Sequence, residues 1–248
     1  GTDFSSIDRV ISYARNYNIK LIPVLENQWE ACTNSNEKDS EWYRDGYLQP
    51  YGNYPLSYKD YVNRIVTRYK NESTILMWQL VNEAQSESSE NLYSFTLDMS
   101  QSIKELNQNH LVSLGTLGTG QAGTANENYL NLHNIATIDV VEAHDYQNEE
   151  EPLPSGRNSI ASDLQIAEEL NKPFFIGEAG ISAGCNDCYT LDERANLFNA
   201  KINASFNAGA DGYLIWRYDN LPENFGGSCR NDYCFTENDP LFEIIQRY

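Results

Sequence analysis

Histidine, methionine and basic residues are scarce in this 248-residue chain, which has 3 His, 2 Met and 17 Lys plus Arg against 36 Asp plus Glu. The formal net charge is −19. Nucleic acids and anionic membrane surfaces are bound by basic patches, so neither is an expected partner. The same shortage of cations makes anionic substrates poor candidates. No apolar run reaches the ~18 residues that a membrane-spanning helix needs, so no membrane partner is expected either. Cysteines number only five: Cys32, Cys185, Cys188, Cys229 and Cys234. The last four form two short-range pairs, compatible with a zinc site and equally with disulfides, within or across the pairs. Polar, loop-like flanks and the absence of a nearby His favour disulfides, and with them an oxidising compartment and a secreted protein. Cys32 is left over, either free or paired with something outside this chain. Tyrosine, by contrast, is abundant at 17 residues, with 4 Trp. Aromatic faces beside amides and carboxylates suit neutral, hydroxyl-rich ligands, although acidic surfaces also serve solubility alone.

Apolar spacing divides the chain into amphipathic helices and short apolar strands. Ile7, Val10, Ile11 and Ala14 recur at helical spacing. So do Tyr58, Val62, Ile65 and Tyr69, then Leu92, Phe95, Met99 and Ile103. Further helices are predicted near residues 129–135, 160–170, 195–206 and 241–245. Six strands are predicted, over residues 19–25, 75–81, 111–115, 138–144, 173–177 and 212–216. Strand–helix alternation with continuous apolar strands implies a parallel sheet covered by helices, which both barrel and doubly wound folds satisfy. No linker or composition shift interrupts the pattern, so residues 1–248 are expected to form one domain. The glycines at 115, 118 and 120 superficially suggest a phosphate loop, but no Lys-Ser/Thr follows them and the surroundings are acidic.

In α/β barrels the chemistry sits where strands end. The predicted strands end in Glu26-Asn27-Gln28-Trp29, Asn82-Glu83, His144 with Tyr146, Glu178, and Trp216. Glycoside hydrolysis needs two carboxylates: one protonates the leaving oxygen, and the other attacks the anomeric carbon or activates water. Glu83 and Glu178 fit because each directly follows a very apolar strand. They lie 95 residues apart in sequence, so only a fold can pair them. Glu26 and Glu142 are expected to be solvated loop carboxylates, and Trp78, in mid-strand, a core residue.

These residues also carry a resemblance. Trp78-Gln79-Leu80-Val81-Asn82-Glu83 resembles the strand-four Asn-Glu signature of clan A glycoside hydrolases. Phe175-Ile176-Gly177-Glu178-Ala179-Gly180 resembles their strand-seven nucleophile motif. His144-Asp145-Tyr146 resembles the His-x-Tyr of family 5, and Trp216 the strand-eight sugar platform. The order and spacing agree over essentially the whole chain. Within family 5 the exit Leu-Glu-Asn-Gln-Trp is similar to that of endo-β-1,4-mannanases, while endoglucanases share the catalytic motifs.

The resemblance implies a TIM (β/α)8 barrel and hydrolysis of β-1,4-linked mannan or glucomannan, with cellulase activity or an inactive carbohydrate-binding barrel as alternatives. It implies Glu83 as acid/base and Glu178 as nucleophile. Asn82 would bind the sugar 2-hydroxyl, His144 would orient a hydroxyl, and Tyr146 would brace Glu178. Trp216 would stack under the reacting sugar, and Trp29 would form a further platform. Two carboxyls ~5–5.5 Å apart would make the reaction retaining. Neither metal nor cofactor is called for. The first strand matches the family's third, so the two opening strands, and the Arg the family places on the second, have no counterpart here. A missing N-terminal segment or a second polypeptide is therefore expected to complete the barrel.

Overall fold

The computed structural model describes residues 3–30, 36–219 and 233–248. The chain divides into two compact units, Gly1–Val141 and Glu142–Tyr248. Among the described residues there are five strands where the sequence predicts six.

In the first unit, β1 (Met77–Gln79) and β2 (Leu111–Ser113) pair in parallel, with Met77 opposite Leu111 and Gln79 opposite Ser113. The segment expected as a strand over residues 19–25 does not form one. It joins β1 through single parallel bridges, Leu21 to Ile75 and Val24 to Gln79, and a third links Asn27 to Asn82. Pro23 explains the interruption, because it has no N–H to give to a ladder. Its carbonyl still accepts from the Gln79 N–H at 3.1 Å, which holds the segment against β1.

Helices α1 (Ser5–Asn16), α2 (Ser40–Arg44), α3 (Tyr58–Tyr69), α4 (Ser89–Leu106) and α5 (Glu127–His133) complete this unit. The Ser57 and Ser88 hydroxyls cap α3 and α4 by accepting the Asp60 and Asn91 N–H groups. The sequence shows no sign of α2, since five residues are too few to display a helical period. Asp39 caps it, accepting the Trp42 N–H at 2.8 Å. Its payload is Trp42 and Tyr43, both buried. Trp42 packs against Tyr43, Phe95 and Tyr58 with ring centroids 5.0, 5.4 and 5.5 Å away. Burying each such ring contributes roughly 1.5–3 kcal/mol, so the cluster anchors α2 to α3 and α4.

Trp78 is fully buried, as its mid-strand position predicts. Its indole N–H donates to His110 Nδ1 at 3.2 Å, and His110 Nε2 lies 2.9 Å from the Glu72 carbonyl. An indole can only donate, so Nδ1 is the bare nitrogen and Nε2 carries the proton. Burial holds His110 below the usual histidine range, and the Glu72 carbonyl acts against that shift.

Gly115, at the exit of β2, has φ of +92°, and a Cβ there would lie 2.0 Å from the Val81 carbonyl oxygen. That close approach, with the Ala84 N–H donating to the Gly115 carbonyl at 3.2 Å, fixes the turn at Asn82-Glu83. The glycine is required by backbone packing, not by a phosphate.

In the second unit, β3 (Val141–Asp145), β4 (Phe174–Ala179) and β5 (Gly212–Tyr213) form a sheet in the order β3-β4-β5. The β4 and β5 strands are parallel, with Phe175 opposite Gly212. Helices α6 (Ile160–Leu170), α7 (Leu191–Asn207) and α8 (Pro240–Ile245) alternate with them. Capping boxes start α6 at Ser159 and α7 at Thr190. The strand expected over residues 212–216 is shorter than predicted. Its tail still follows β4, with the Leu214 N–H on the Ile176 carbonyl and the Trp216 N–H on the Ala179 carbonyl. Two ion pairs are buried here. Lys201 of α7 meets Asp145 of β3 at 3.0 Å, and Arg194 of α7 meets Asp239, the cap of α8.

Cys185 and Cys188 form a close pair with Cα atoms 5.1 Å apart. Cys234 is buried. Cys32 and Cys229 lie outside the described residues.

Candidate active site

In the first unit the candidate residues gather where residues 26–29 leave the bridge to β1. The Asn82 N–H donates to the Glu26 carbonyl at 2.8 Å, and the Gln28 N–H donates to the Asn82 carbonyl at 3.0 Å. These paired backbones align Asn27 and Asn82, and the Asn82 side-chain amide donates to Asn27 Oδ1 at 3.1 Å. The next residue, Glu83, has φ of +55°, a left-handed conformation that few side chains adopt without cost. Its carboxylate receives the indole N–H of Trp29. Trp29, expected as a sugar platform, is thus also a direct hydrogen-bond partner of the candidate acid/base.

Glu26 is not the solvated loop carboxylate its sequence context suggests. Its side chain is 7% exposed and lies 3.4 Å from Lys38, whose own side chain is 1% exposed. The Tyr51 hydroxyl also donates to Glu26. The ammonium of Lys38 lies 5.8 and 5.5 Å from the Trp42 and Tyr51 ring centroids. Burial pushes Lys38 below its usual range, and Glu26 acts against that shift. Burial, reinforced by Glu26, pushes the Tyr51 phenol up. The amide of Gln28 ties this cluster to the scaffold, donating to the Lys38 carbonyl at 2.6 Å and accepting from the Tyr43 hydroxyl at 2.6 Å. Gln28 lies in the strand exit singled out from the sequence, whereas Lys38 carries no sequence signal, because no motif marks it.

In the second unit, His144, Tyr146 and Glu178 come together. The Tyr146 hydroxyl donates to Glu178 Oε2 at 2.6 Å. His144 Nδ1 lies 3.7 Å from the same oxygen, and its Nε2 lies 3.8 Å from Glu142 Oε1. Glu142, also expected to be a solvated loop carboxylate, is fully buried. A strand directs residues two apart to the same face, which aims Glu142 and His144 alike. Both glycines of the Gly177-Glu178-Ala179-Gly180 run are needed to make room. A Cβ at Gly177 would lie 2.2 Å from Glu142 Oε1, and one at Gly180 would lie 2.4 Å from the Tyr146 ring. Trp216 is 43% exposed and follows the end of β4 through its backbone bond to Ala179. The Arg217 guanidinium lies 5.9 Å from its ring centroid, and the intervening peptide bond is cis.

Each unit sets parallel strands beside helices, with carboxylates and aromatic donors at the strand exits, as α/β enzymes do. The chain belongs to glycosyl hydrolase family 5, whose cellulase family model matches residues 1–221. It is 30% identical to mannan endo-1,4-beta-mannosidase F of Aspergillus fumigatus over 235 residues, covering 86% of this chain and 50% of that protein. It is 25% identical to mannan endo-1,4-beta-mannosidase 4 of Solanum lycopersicum over 249 residues, covering 84% of this chain and 61% of that protein. The endo-beta-1,4-mannanase structure from Thermotoga petrophila matches with a TM-score of 0.79 at 22% identity, covering 99% of this chain and 60% of that one. The fold expected from the sequence is thereby shown. The chain spans between half and two thirds of the length of these curated relatives.

Proposed function

We propose that the chain carries the catalytic machinery of a secreted, retaining endo-β-1,4-glycanase acting on mannan or glucomannan. The observation that carries this reading is the placement of Glu83 and Glu178 at strand exits, each already engaged by an aromatic donor. In this reading Glu178 attacks the anomeric carbon while Glu83 protonates the departing glycosidic oxygen. Water then hydrolyses the glycosyl-enzyme with Glu83 as base. The Tyr146 phenol steadies the Glu178 anion through a charge-assisted hydrogen bond. Asn82 binds the sugar 2-hydroxyl, His144 orients a hydroxyl, and Trp216 and Trp29 offer apolar faces to the sugar. Mannosidase names among the relatives support mannan over glucan, while the family's cellulase description keeps β-1,4-glucan as the second reading. The Cys185–Cys188 pair supports an oxidising compartment, which peptide mass mapping with and without reductant tests.

The decisive assay offers mannan, glucomannan and carboxymethylcellulose to the wild type, Glu83→Ala and Glu178→Ala, with product anomers followed by NMR. Hydrolysis of mannan to β-configured ends, lost in both variants, is expected. Binding without turnover of any polymer would overturn the enzymatic reading.

A further inference from the structure

The second unit holds a buried carboxylate that the reaction above does not use. We infer that Glu142 is a positioning residue whose negative charge keeps a proton on Nε2 of His144, setting how that imidazole faces Glu178. The inference rests on the proposed glycosidase reading only for its consequence in catalysis.

The side chains of Glu142 and His144 are both fully buried, so Glu142 cannot touch a polysaccharide. Any influence it has on chemistry passes through a neighbour. His144 is that neighbour, with Nε2 3.8 Å from Glu142 Oε1 and Nδ1 3.7 Å from Glu178 Oε2. The imidazole therefore lies between two carboxylates, one buried and one at a strand exit. Tyr146, whose ring centroid is 6.5 Å from that of His144, donates to the same Glu178 oxygen. A negative charge beside Nε2 stabilises a proton there, and does so more strongly in a dry interior than in water. Which nitrogen of an imidazole carries its proton is set by the partner on its far side. The space for this arrangement is reserved by Gly177, where any Cβ would strike Glu142. At 3.8 Å the contact is one of charge and not a hydrogen bond, so Glu142 acts on the Nε2 proton through its field.

Histidine 15N NMR tests the inference, helped by there being only 3 His in the chain. Glu142→Gln keeps the shape and removes the charge. The expected result is a shift of the His144 Nε2 resonance towards the unprotonated range, with His110 and His133 unchanged. On mannan oligosaccharides kcat is expected to fall about tenfold with KM within about twofold, equivalent to ~1.4 kcal/mol in the transition state. Glu142→Asp, which retains the charge, is expected to recover part of both, and it serves as the test if the Gln variant fails to fold. An unchanged His144 Nε2 signal in Glu142→Gln would overturn the inference, as would an unaltered kcat in an active enzyme. If the wild type hydrolyses nothing, the glycosidase reading falls, and the 15N signals still decide the link between Glu142 and His144.

Discussion

Trp29 and Gly180 show how single residues define the candidate catalytic groups. The indole of Trp29 can only donate, so its bond holds one oxygen of the Glu83 carboxyl group in place. In the proposed reaction that group passes its proton to the departing oxygen and later takes one from water. Trp29→Phe keeps the aromatic face and removes the donor. Hydrogen bonds to charged groups contribute ~1.5–3 kcal/mol, so kcat on mannan oligosaccharides is expected to fall about tenfold or more. A KM rise with kcat unchanged would show instead that Trp29 serves only as a platform. Gly180→Ala acts on the other glutamate. The new methyl would meet the Tyr146 ring at 2.4 Å and the Tyr233 ring at 2.8 Å, so the rings must shift, and the bond from Tyr146 to Glu178 is expected to be lost. Activity is expected to drop to the level of Tyr146→Phe, and the double variant no further, because both changes remove one interaction. Additive losses would sink this account.

At the scale of elements, α7 is locked to β3 by charge. Lys201 and Asp145 are almost fully buried and form an ion pair at 3.0 Å, with a second Lys201 contact to the Gln147 carbonyl. Removing one partner of a buried pair costs about 3–5 kcal/mol, since the other charge is left unpaired. Lys201→Met is therefore expected to lower Tm markedly, and adding Asp145→Asn to restore part of it. Burial raises the Asp145 carboxyl and Lys201 opposes that. A raised carboxyl binds its proton more tightly in the folded state, so its contribution to stability is full below the ordinary Asp range. That contribution is lost as pH rises through the raised value. Lys201→Met is expected to steepen that loss, as thermal melts between about pH 3 and 7 would show.

Helices such as α3, α4 and α7 were legible because their apolar residues repeat at helical spacing. The strand-exit motifs were legible because Asn82-Glu83 and Gly177-Glu178 directly follow apolar runs. Residues 19–25 read as a strand because one apolar run hides the missing N–H of Pro23. Glu26 and Glu142 read as solvated because a carboxylate's burial depends on partners, such as Lys38 and His144, that the local sequence does not reveal.

For the whole molecule, the net charge of −19 has a consequence that no single residue carries. A chain so acidic repels polyanions over distances set by salt, ~10 Å at 0.1 M and ~3 Å at 1 M. Mannan and carboxymethylcellulose present similar β-1,4-linked backbones, but only the latter is anionic. If the proposed activity holds, KM for carboxymethylcellulose is expected to fall severalfold between about 10 mM and about 300 mM NaCl, as screening relieves the repulsion. The KM for mannan is expected to stay nearly flat, because stacking on Trp216 and hydrogen bonds from amides involve no net charge on the sugar. kcat for both polymers is expected to be insensitive to salt, since Glu142 and His144 are buried beyond the reach of bulk ions and the approach of the polymer precedes the chemical steps. Parallel salt responses for the two polymers would show that global charge does not govern substrate approach. The acidic balance would then reflect solubility alone, and discrimination against anionic chains would have to come from local carboxylates such as Glu83 and Glu178.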